Sequence, residues 1–150
     1  MIFVKISKKE EVTLFDQHTQ ILVVDDSPNI RHIICETLKK MGFKNIDQAP
    51  DANTGLSKLV SRNKSSSPIQ LVLSDLNMPG PSGLDFLKKI RKMEEFKNLP
   101  FILITTESEK AAVIDAAMSG VSAYVVKPFN FETLKNRILE AWKKHYGVDS

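Results

Sequence analysis

The sequence contains one cysteine among its 150 residues, Cys35, so an internal disulfide is excluded and a reducing compartment is favoured. Cys35 falls within a helical pattern, where we expect a small buried apolar residue and not a reactive thiol. No apolar run approaches the ~20 residues of a membrane-spanning helix, and no segment resembles a cleaved secretion signal. We therefore expect a cytoplasmic protein that does not insert into membranes.

Two further shortages narrow the function. The net charge is only +3 and the lysines and arginines are scattered, which argues against a nucleic-acid partner. There is no glycine-rich phosphate-binding motif, so no bound nucleotide is expected. With 42% hydrophobic and 26% charged residues, the composition is typical of a globular protein with one domain and a buried core.

The rest of the chain alternates between short apolar runs and amphipathic segments. Five apolar runs predict buried strands: 21–24, 46–49, 71–74, 101–104 and 123–126. Five amphipathic segments predict helices: 28–41, 51–60, 82–93, 109–118 and 131–142. Ser27 and Asn130 are predicted helix N-caps, and the polar run 62–68 is predicted to be a solvated loop inside the domain.

Residues 1–19 do not share this alternation, and their role is unknown. Residues 1–6 are compatible with a short strand, which a charged and then a polar stretch follow. A flexible arm, an added edge strand and sequence read from an upstream start all remain open.

Strands that alternate with helices predict an α/β protein with a parallel sheet covered by helices on both faces. Of the two doubly wound arrangements common at this size, the flavodoxin-like one has the strand order 2-1-3-4-5. This order makes the first and third strands neighbours and places ligands beyond their carboxyl ends. The expected architecture is a three-layer (βα)5 sandwich.

Ionisable and hydroxyl side chains stand where these strands end. The first strand ends in Asp25 and Asp26, the third in Asp75, the fourth in Thr105 and the fifth in Lys127. Parallel strands place all of these groups at one edge of the sheet. Each residue alone is compatible with an ordinary turn, and it is their convergence that indicates a site.

Three carboxylates in one cleft require a cation, because like charges about 4 Å apart repel by roughly 4 kcal/mol near a protein surface. Oxygen ligands favour Mg²⁺, which takes one or two carboxylates directly and keeps several waters. A lysine and a metal ion beside a nucleophilic carboxylate suit the acceptance of a phosphoryl group. The predicted chemistry is therefore phosphorylation of an aspartate.

Over roughly residues 20–147 the chain resembles the receiver domains of two-component response regulators. The resemblance rests on these motifs: Val24-Asp25-Asp26, Ser74-Asp75-Leu76-Asn77-Met78-Pro79, Gly83, Thr105-Thr106-Glu107 and Tyr124-Val125-Val126-Lys127-Pro128-Phe129. Together the motifs are highly specific, whereas the Asp-x-x-Met-Pro pattern alone is not. The expected organisation is an N-terminal extension at 1–19 and a receiver domain at 20–147.

The resemblance implies a role for each acid. Asp75 is the phosphoacceptor, which takes the phosphoryl group from a phosphohistidine of a sensor kinase. Asp26 and Asp75 bind Mg²⁺ directly together with the backbone carbonyl of Asn77, and Asp25 acts mainly through water. The chain is then a phosphoacceptor that assists its own phosphorylation and dephosphorylation, not an enzyme that turns over an external substrate.

The resemblance also implies a conformational switch biased by about two added negative charges. Lys127 contacts the phosphoryl oxygens, and its bond to Pro128 is expected to be cis. Thr105 hydrogen-bonds the phosphoryl group and moves toward it, and Tyr124 then turns from an exposed to a buried rotamer. This repacks the face formed by the fourth helix, the fifth strand and the fifth helix. Taken alone, Tyr124 is equally compatible with an ordinary half-buried strand aromatic.

Three further residues flank the site in the resemblance. Asn77 and Glu107 occupy positions that tune self-dephosphorylation by shaping access for the attacking water. Thr106 is bulkier than the alanine often found at its position, so we expect narrower access for the phosphodonor.

No output domain is expected after the last helix, so another protein must read the phosphorylated state. Asn77, Glu107, Tyr124 and the run 125–129 are most similar to the stand-alone chemotaxis regulators that bind the flagellar motor switch. The implied partners are a CheA-like sensor kinase, a FliM-like motor switch protein and, as a further candidate, an auxiliary phosphatase. The alternative is a single-domain receiver in a phosphorelay or another pathway without motor binding.

Two other classes of protein compete with this interpretation. Haloacid-dehalogenase-like phosphohydrolases use an Asp-x-Asp motif after the first strand, and its second aspartate is the general acid. Here the candidate nucleophile follows the third strand and Asn77 occupies the second position, so this class is disfavoured. A receiver fold used as a phosphorylation-independent adaptor is disfavoured by the complete acidic cluster.

Overall fold

The computed structural model describes the backbone of residues 3–7 and 10–13 and all atoms of residues 16–146. Within these ranges the strands are β1 Phe3–Ser7, β2 Glu10–Thr13, β3 Gln20–Val24, β4 Asn45–Ala49, β5 Leu71–Ser74, β6 Phe101–Thr105 and β7 Ala123–Val126. The α-helices are α1 Pro28–Lys40, α2 Ala52–Asn63, α3 Gly83–Arg91, α4 Lys110–Met118 and α5 Phe131–Tyr146. A short 3₁₀ helix at Glu94–Phe96 precedes β6.

The five strands from β3 to β7 form one parallel sheet in the order β4-β3-β5-β6-β7. Counted within the sheet this is the order 2-1-3-4-5, so the predicted flavodoxin-like topology is confirmed. The register places Val24 beside Ala49 and Ser74, and Thr105 beside Val126. The carboxyl ends of these strands therefore meet at one edge of the sheet, where the predicted site residues follow.

The sheet separates two hydrophobic layers, as β3 illustrates. Ile21 and Val23 belong to one layer and Leu22 and Val24 to the other, and all four are fully buried. Because both faces are covered, the strand is continuously apolar and does not alternate with polar residues. Helices α1 and α5 pack on the first layer, and α2, α3 and α4 pack on the second.

Cys35 and Trp142 both lie in the first layer. Cys35 is 4% exposed and burial raises the pKa of its thiol, so the prediction of a small buried apolar residue is confirmed. Trp142 is 3% exposed, and its ring centroid lies 5.6 Å from that of Tyr146. The indole is therefore part of the core and not a ligand platform on the surface.

Both predicted helix caps are present. The Ser27 hydroxyl accepts a hydrogen bond from the backbone N–H of Ile30 at 3.3 Å, and the Asn130 amide oxygen accepts one from that of Thr133 at 2.8 Å. These bonds satisfy N–H groups that a helix leaves free in its first turn.

Among residues 16–146 no helix has the length and apolar character required to cross a bilayer.

The prediction of a loop from residue 62 onward is wrong at its first two positions. Helix α2 continues to Asn63. Arg62 in its last turn pairs with Asp47 of β4 at 3.2 Å and donates to the backbone carbonyl of Ser67 at 3.0 Å. These contacts stabilise a polar helical turn, and apolar periodicity does not detect such a turn.

The N-terminal strands form a separate antiparallel pair. β1 pairs with β2, and in this pair Val4 lies opposite Val12. Neither strand joins the five-stranded sheet, so the added-edge-strand alternative is wrong. The expected strand at 1–6 is found at Phe3–Ser7, and residues 1 and 2 lie outside the described residues. The second strand was not predicted, because it begins with Glu10 and Glu11 and has low apolar content.

The opposite edge of the sheet contains a polar cluster centred on His145. The Ser122 hydroxyl lies 2.5 Å from Nε2 of His145 and accepts a hydrogen bond from the N–H of Phe101 at 2.9 Å. Arg91 faces His145 and donates from Nε to the carbonyl of Gly120 at 3.0 Å. The cluster thus joins the end of α5 to the starts of β6 and β7.

We predict that His145 makes the protein less stable in acid. Burial, followed by the charges of Arg91 and Lys144, lowers the pKa of folded His145 to about 4, below its ordinary 6.5. Because the folded pKa is depressed, the stabilisation is complete above pH 6.5 and is lost as the pH falls toward 4. Urea titrations should show the stability advantage of the native protein over His145→Gln shrinking by about 1–2 kcal/mol across that interval, after solvent screening. An advantage that is independent of pH would contradict the prediction.

Candidate functional site

The three predicted acids meet at one edge of the sheet. Asp25 and Asp26 follow β3, and Asp75 follows the neighbouring strand β5. One carboxylate oxygen from each residue lies within 4.8 Å of the other two. The predicted convergence of these distant carboxylates is therefore confirmed as geometry.

Asp25 is the most tightly held of the three. Its side chain is 2% exposed, and its two oxygens accept hydrogen bonds from the N–H of Ser27 at 2.9 Å and from Nζ of Lys127 at 2.9 Å. Its own N–H donates to the carbonyl of Ala49 on β4 at 3.2 Å. Both carboxylate oxygens thus already have partners within the protein.

Asp75 is surrounded by opposing influences. Its side chain is 12% exposed, and one oxygen lies 3.6 Å from Nζ of Lys127. Burial raises the pKa of Asp75, and the negative charge of Asp25 raises it further. Lys127 and the backbone N–H groups of Leu76 and Asn77 oppose this increase by favouring the ionised form. A cation at this position would add to the same stabilisation.

Asp26 completes a donor set that fits Mg²⁺. Its side chain is exposed, and no hydrogen bond within residues 16–146 involves its carboxylate. Asp26 and Asp75 can therefore offer oxygens to an ion, and Asn77 is exposed two residues beyond Asp75. Oxygen-only ligands with an open, solvated side are those that a hard ion with retained waters requires.

The loop after Asp75 depends on a glycine at the start of α3. The N–H of Gly83 donates to the carbonyl of Leu76 at 2.8 Å, which draws the helix against the loop. A Cβ atom at residue 83 would lie 2.0 Å from the carbonyl oxygen of Asp75. Only glycine permits this approach, so Gly83 contributes to the position of the Asp75 backbone.

A chain of hydrogen bonds links the site to Tyr124. The Thr105 hydroxyl is fully buried and accepts from the N–H of Glu107 at 3.2 Å. The Tyr124 hydroxyl donates to the carbonyl of the same residue, Glu107, at 2.7 Å. Burial and the Glu107 charge raise the pKa of Tyr124, so its hydroxyl remains a donor at neutral pH. The backbone of one loop residue thus contacts both predicted switch residues.

The remaining predicted residues lie around the rim. Thr106 and Asn77 are exposed, and Glu107 is half-buried. The peptide bond between Lys127 and Pro128 is cis, as the resemblance implied. The backbone N–H of Lys127 donates to the carbonyl of Thr105 at 2.7 Å, which aligns the ends of β6 and β7.

An apolar groove of about 270 Å³ opens beside the site. It is lined by Ile30 and Ile33 of α1, by Thr106, and by the segment Lys127, Pro128 and Phe129. Ile33 is 52% exposed although it is a large apolar side chain. Sequence analysis did not predict this groove, because Ile33 counts as a core position when only helical periodicity is considered.

Sequence analysis also missed the contacts of Arg31. Its Nη1 donates to the backbone carbonyl of Asp25 at 2.6 Å. A cation one helical turn after the Ser27 cap is the only signal in the sequence, and it does not specify which carbonyl the side chain reaches.

Comparison with known proteins agrees with this geometry. A family model described as response regulator receiver domain matches residues 21–139. Chemotaxis protein CheY-3 of Vibrio cholerae serotype O1 is 39% identical over 125 residues, which cover 83% of this chain and 92% of that protein. Chemotaxis protein CheY of Pseudomonas aeruginosa is 38% identical over 128 residues, with coverage of 85% and 99%. A solved structure of the Vibrio cholerae chemotaxis response regulator CheY4 has a TM-score of 0.70 at 30% identity, with coverage of 82% and 98%.

The chain belongs to the response regulator receiver domain family. The family match begins at the first residue of the predicted first strand and ends within α5. It therefore spans every element that contributes a side chain to the acidic cluster. The resemblance that the motifs indicated is confirmed.

We predict that Gly83→Ala destabilises the protein and displaces Asp75. The added methyl group would overlap a backbone carbonyl, and overpacking of this kind costs about 1–3 kcal/mol. Urea unfolding should show this loss, and isothermal titration of the folded variant should show weaker Mg²⁺ binding. Gly80→Ala is the matched control, since Gly80 has φ +78° with open space around it. The control should lose roughly 1 kcal/mol from backbone strain and keep its Mg²⁺ affinity. Unchanged Mg²⁺ affinity in Gly83→Ala would contradict the role of Gly83 in positioning Asp75.

Proposed function

We propose that this chain is a single-domain response regulator in which Asp75 accepts a phosphoryl group from a phosphohistidine of a sensor kinase. The observation that carries the proposal is the meeting of Asp26, Asp75 and Lys127 at one rim of the sheet, in a chain of the receiver family. Residues 20–147 form the receiver domain, and residues 1–19 are an extension outside it. The chain acts in the cytoplasm, where the kinase domain of a sensor is located.

The transfer is a displacement at phosphorus. An oxygen of Asp75 forms a bond to phosphorus while the P–N bond to histidine breaks, and the electron pair of that bond goes to the imidazole nitrogen. Lys127, whose Nζ lies 3.6 Å from Asp75, contacts the phosphoryl oxygens and offsets their charge. Thr105 donates its hydroxyl to one of these oxygens once phosphorus is attached.

The proposed metal is Mg²⁺, held by the carboxylates of Asp26 and Asp75 and by the backbone carbonyl of Asn77. When bound, it supplies additional positive charge beside the phosphoryl oxygens. Asp25 acts through water, because its own oxygens are already hydrogen-bonded to Ser27 and Lys127. Asn77 and Glu107, at the rim, tune the access of water to the phosphoryl group.

The apolar groove beside Lys127 supports a protein as phosphodonor. A small phosphodonor needs only the polar cleft, whereas a helix of a kinase domain can bury apolar side chains against Ile33 and Phe129. Thr106 lines the groove beside Lys127, so its size limits how closely a donor approaches.

We predict that the protein incorporates about one phosphoryl group from acetyl phosphate in the presence of Mg²⁺, and that Asp75→Asn abolishes this incorporation. Intact-mass spectrometry with and without a chelator measures the labelling. Asp115→Asn is the matched control, because Asp115 is an exposed carboxylate on α4 that lies 3.8 Å from Lys88, away from the acidic cluster. Undiminished labelling of Asp75→Asn would refute the assignment, and continuous turnover of a phosphomonoester would favour the phosphohydrolase alternative.

The proposed output surface is the face formed by α4, β7 and α5. It carries large apolar side chains that are unusually exposed: Ile114 at 47%, Met118 at 84% and Val126 at 40%. Tyr124 belongs to this face as part of β7, and its hydroxyl donates to the carbonyl of Glu107 in the loop after β6. The matched relatives are named chemotaxis proteins, and we propose a FliM-like flagellar motor switch as the target and a CheA-like kinase as the donor.

We predict that phosphorylation tightens binding to a motor-switch peptide. Beryllofluoride with Mg²⁺ serves as the phosphoryl mimic, and fluorescence anisotropy of the labelled peptide measures affinity in both states. A shift of roughly tenfold is expected, since coupling free energies are commonly 1–3 kcal/mol. Asp75→Asn should show no shift with the same mimic. Equal affinity in both states would favour a phosphorelay role without motor binding, or an adaptor role if Asp75→Ala also left partner binding unchanged.

A further inference from the structure

Arg31 connects the acidic cluster to the edge of the sheet. From α1 its Nη1 donates to the backbone carbonyl of Asp25 at 2.6 Å, and its Nε donates to the side-chain oxygen of Gln48 on β4 at 3.2 Å. The guanidinium therefore binds the peptide that joins Asp25 to Asp26, not either carboxylate. No ion pair of Arg31 with the acids is formed within residues 16–146.

This contact completes the restraint of Asp25. The other polar groups of that residue are held by Ala49, Ser27 and Lys127. The backbone carbonyl is the remaining polar group of Asp25, and it accepts a hydrogen bond from Arg31. This bond restrains rotation of the peptide plane between Asp25 and Asp26. The orientation of this plane sets the direction in which the following residue, Asp26, projects its side chain.

Asp26 depends on this restraint because no side chain or backbone N–H of residues 16–146 holds its carboxylate. Its side chain is exposed, whereas that of Asp25 is buried and that of Asp75 is only 12% exposed. Its position within reach of Asp75 is thus set by backbone geometry. Freeing the preceding peptide would let the carboxylate sample directions away from Asp75.

Gln48 determines where the Arg31 charge lies. With Nε bonded to Gln48 of the edge strand β4, the guanidinium lies at the side of the sheet and forms no ion pair with Asp26 among the described residues. A guanidinium free to move could form a bidentate pair with that carboxylate and compete with a metal ion. The pair of Arg31 and Gln48 therefore keeps a cation near the acids without blocking them.

We propose that Arg31, held by Gln48, is a positioning residue that orients Asp26 for divalent-cation binding. The proposal rests on the Mg²⁺ site of the proposed function and names two residues outside it. Outer contacts that orient metal ligands typically change affinity by 10–100-fold, and we expect a loss of about tenfold when Arg31 is truncated.

The sign of the change separates positioning from simple electrostatics. A nearby positive charge by itself repels a divalent cation, so removal of the charge alone would strengthen Mg²⁺ binding. Loss of positioning weakens it. A weaker affinity in a variant that has lost a positive charge is therefore not explained by charge, and it is not explained by global stability if the variant remains folded.

The experiment is isothermal titration of the metal-free protein with Mg²⁺, repeated with Mn²⁺ by electron paramagnetic resonance. Arg31→Met keeps the aliphatic stem, Arg31→Lys keeps the charge but cannot reach both partners, and Gln48→Met releases Nε alone. The matched control is Arg137→Met on α5, which removes the same charge from an exposed pair with Glu140 at 3.4 Å. Circular dichroism at the titration temperature establishes that each variant is folded.

We expect about tenfold weaker binding in Arg31→Met, an intermediate loss in Arg31→Lys and Gln48→Met, and native affinity in the control. Native or stronger binding in Arg31→Met would overturn the positioning role while leaving the Mg²⁺ site intact. If Arg31→Met does not fold, native affinity in both Gln48→Met and Arg31→Lys would overturn it instead. A native protein that binds neither ion would overturn the proposed function, and the inference with it.

Discussion

The structure around the site depends on balancing repulsion among three carboxylates. Asp25, Asp26 and Asp75 bring oxygens within 4.8 Å of one another, and among the described residues only Lys127 forms ion pairs with these carboxylates. The ammonium lies 2.9 Å from Asp25 and 3.6 Å from Asp75, with a side chain that is 13% exposed. One cation cannot neutralise three acids, so the site retains a net negative charge that favours a divalent ion. Asp25 is stabilised in this cluster because both of its carboxylate oxygens accept hydrogen bonds, one from Ser27 and one from Lys127.

Glu107 contacts both residues of the proposed switch. Its N–H donates a hydrogen bond to the Thr105 hydroxyl beside the cleft, and its carbonyl accepts one from the Tyr124 hydroxyl. The backbone of Glu107 therefore contacts both the cleft and the α4-β7-α5 face. In the proposed switch, a Thr105 side chain that moves toward a phosphoryl oxygen would carry its hydroxyl oxygen away from the N–H of Glu107. This movement would shift the loop whose carbonyl accepts from Tyr124. The proposed coupling would need no long chain of residues, because one peptide segment contacts both side chains.

What the sequence allowed us to predict follows from where apolar runs stop. Strands β3 and β5 are buried on both faces, so Asp25 and Asp75 mark their ends without ambiguity, and the parallel order brings them together. Contacts that depend on the path of a loop were not predictable in the same way. Arg31 reaches a carbonyl rather than an acid, and the polar end of α2 is stabilised by pairing with Asp47, neither of which leaves a periodic pattern. The close approach of Gly83 to Asp75 likewise becomes apparent only from coordinates.

The location of the single tryptophan has a practical consequence for spectroscopy. Trp142 is 3% exposed in the hydrophobic layer formed with α1 and α5. The residue that follows Asp75 is Leu76, which does not fluoresce. The intrinsic indole emission therefore monitors the packing of the core on one side of the sheet. Unfolding of this layer can consequently be followed by fluorescence without an added label.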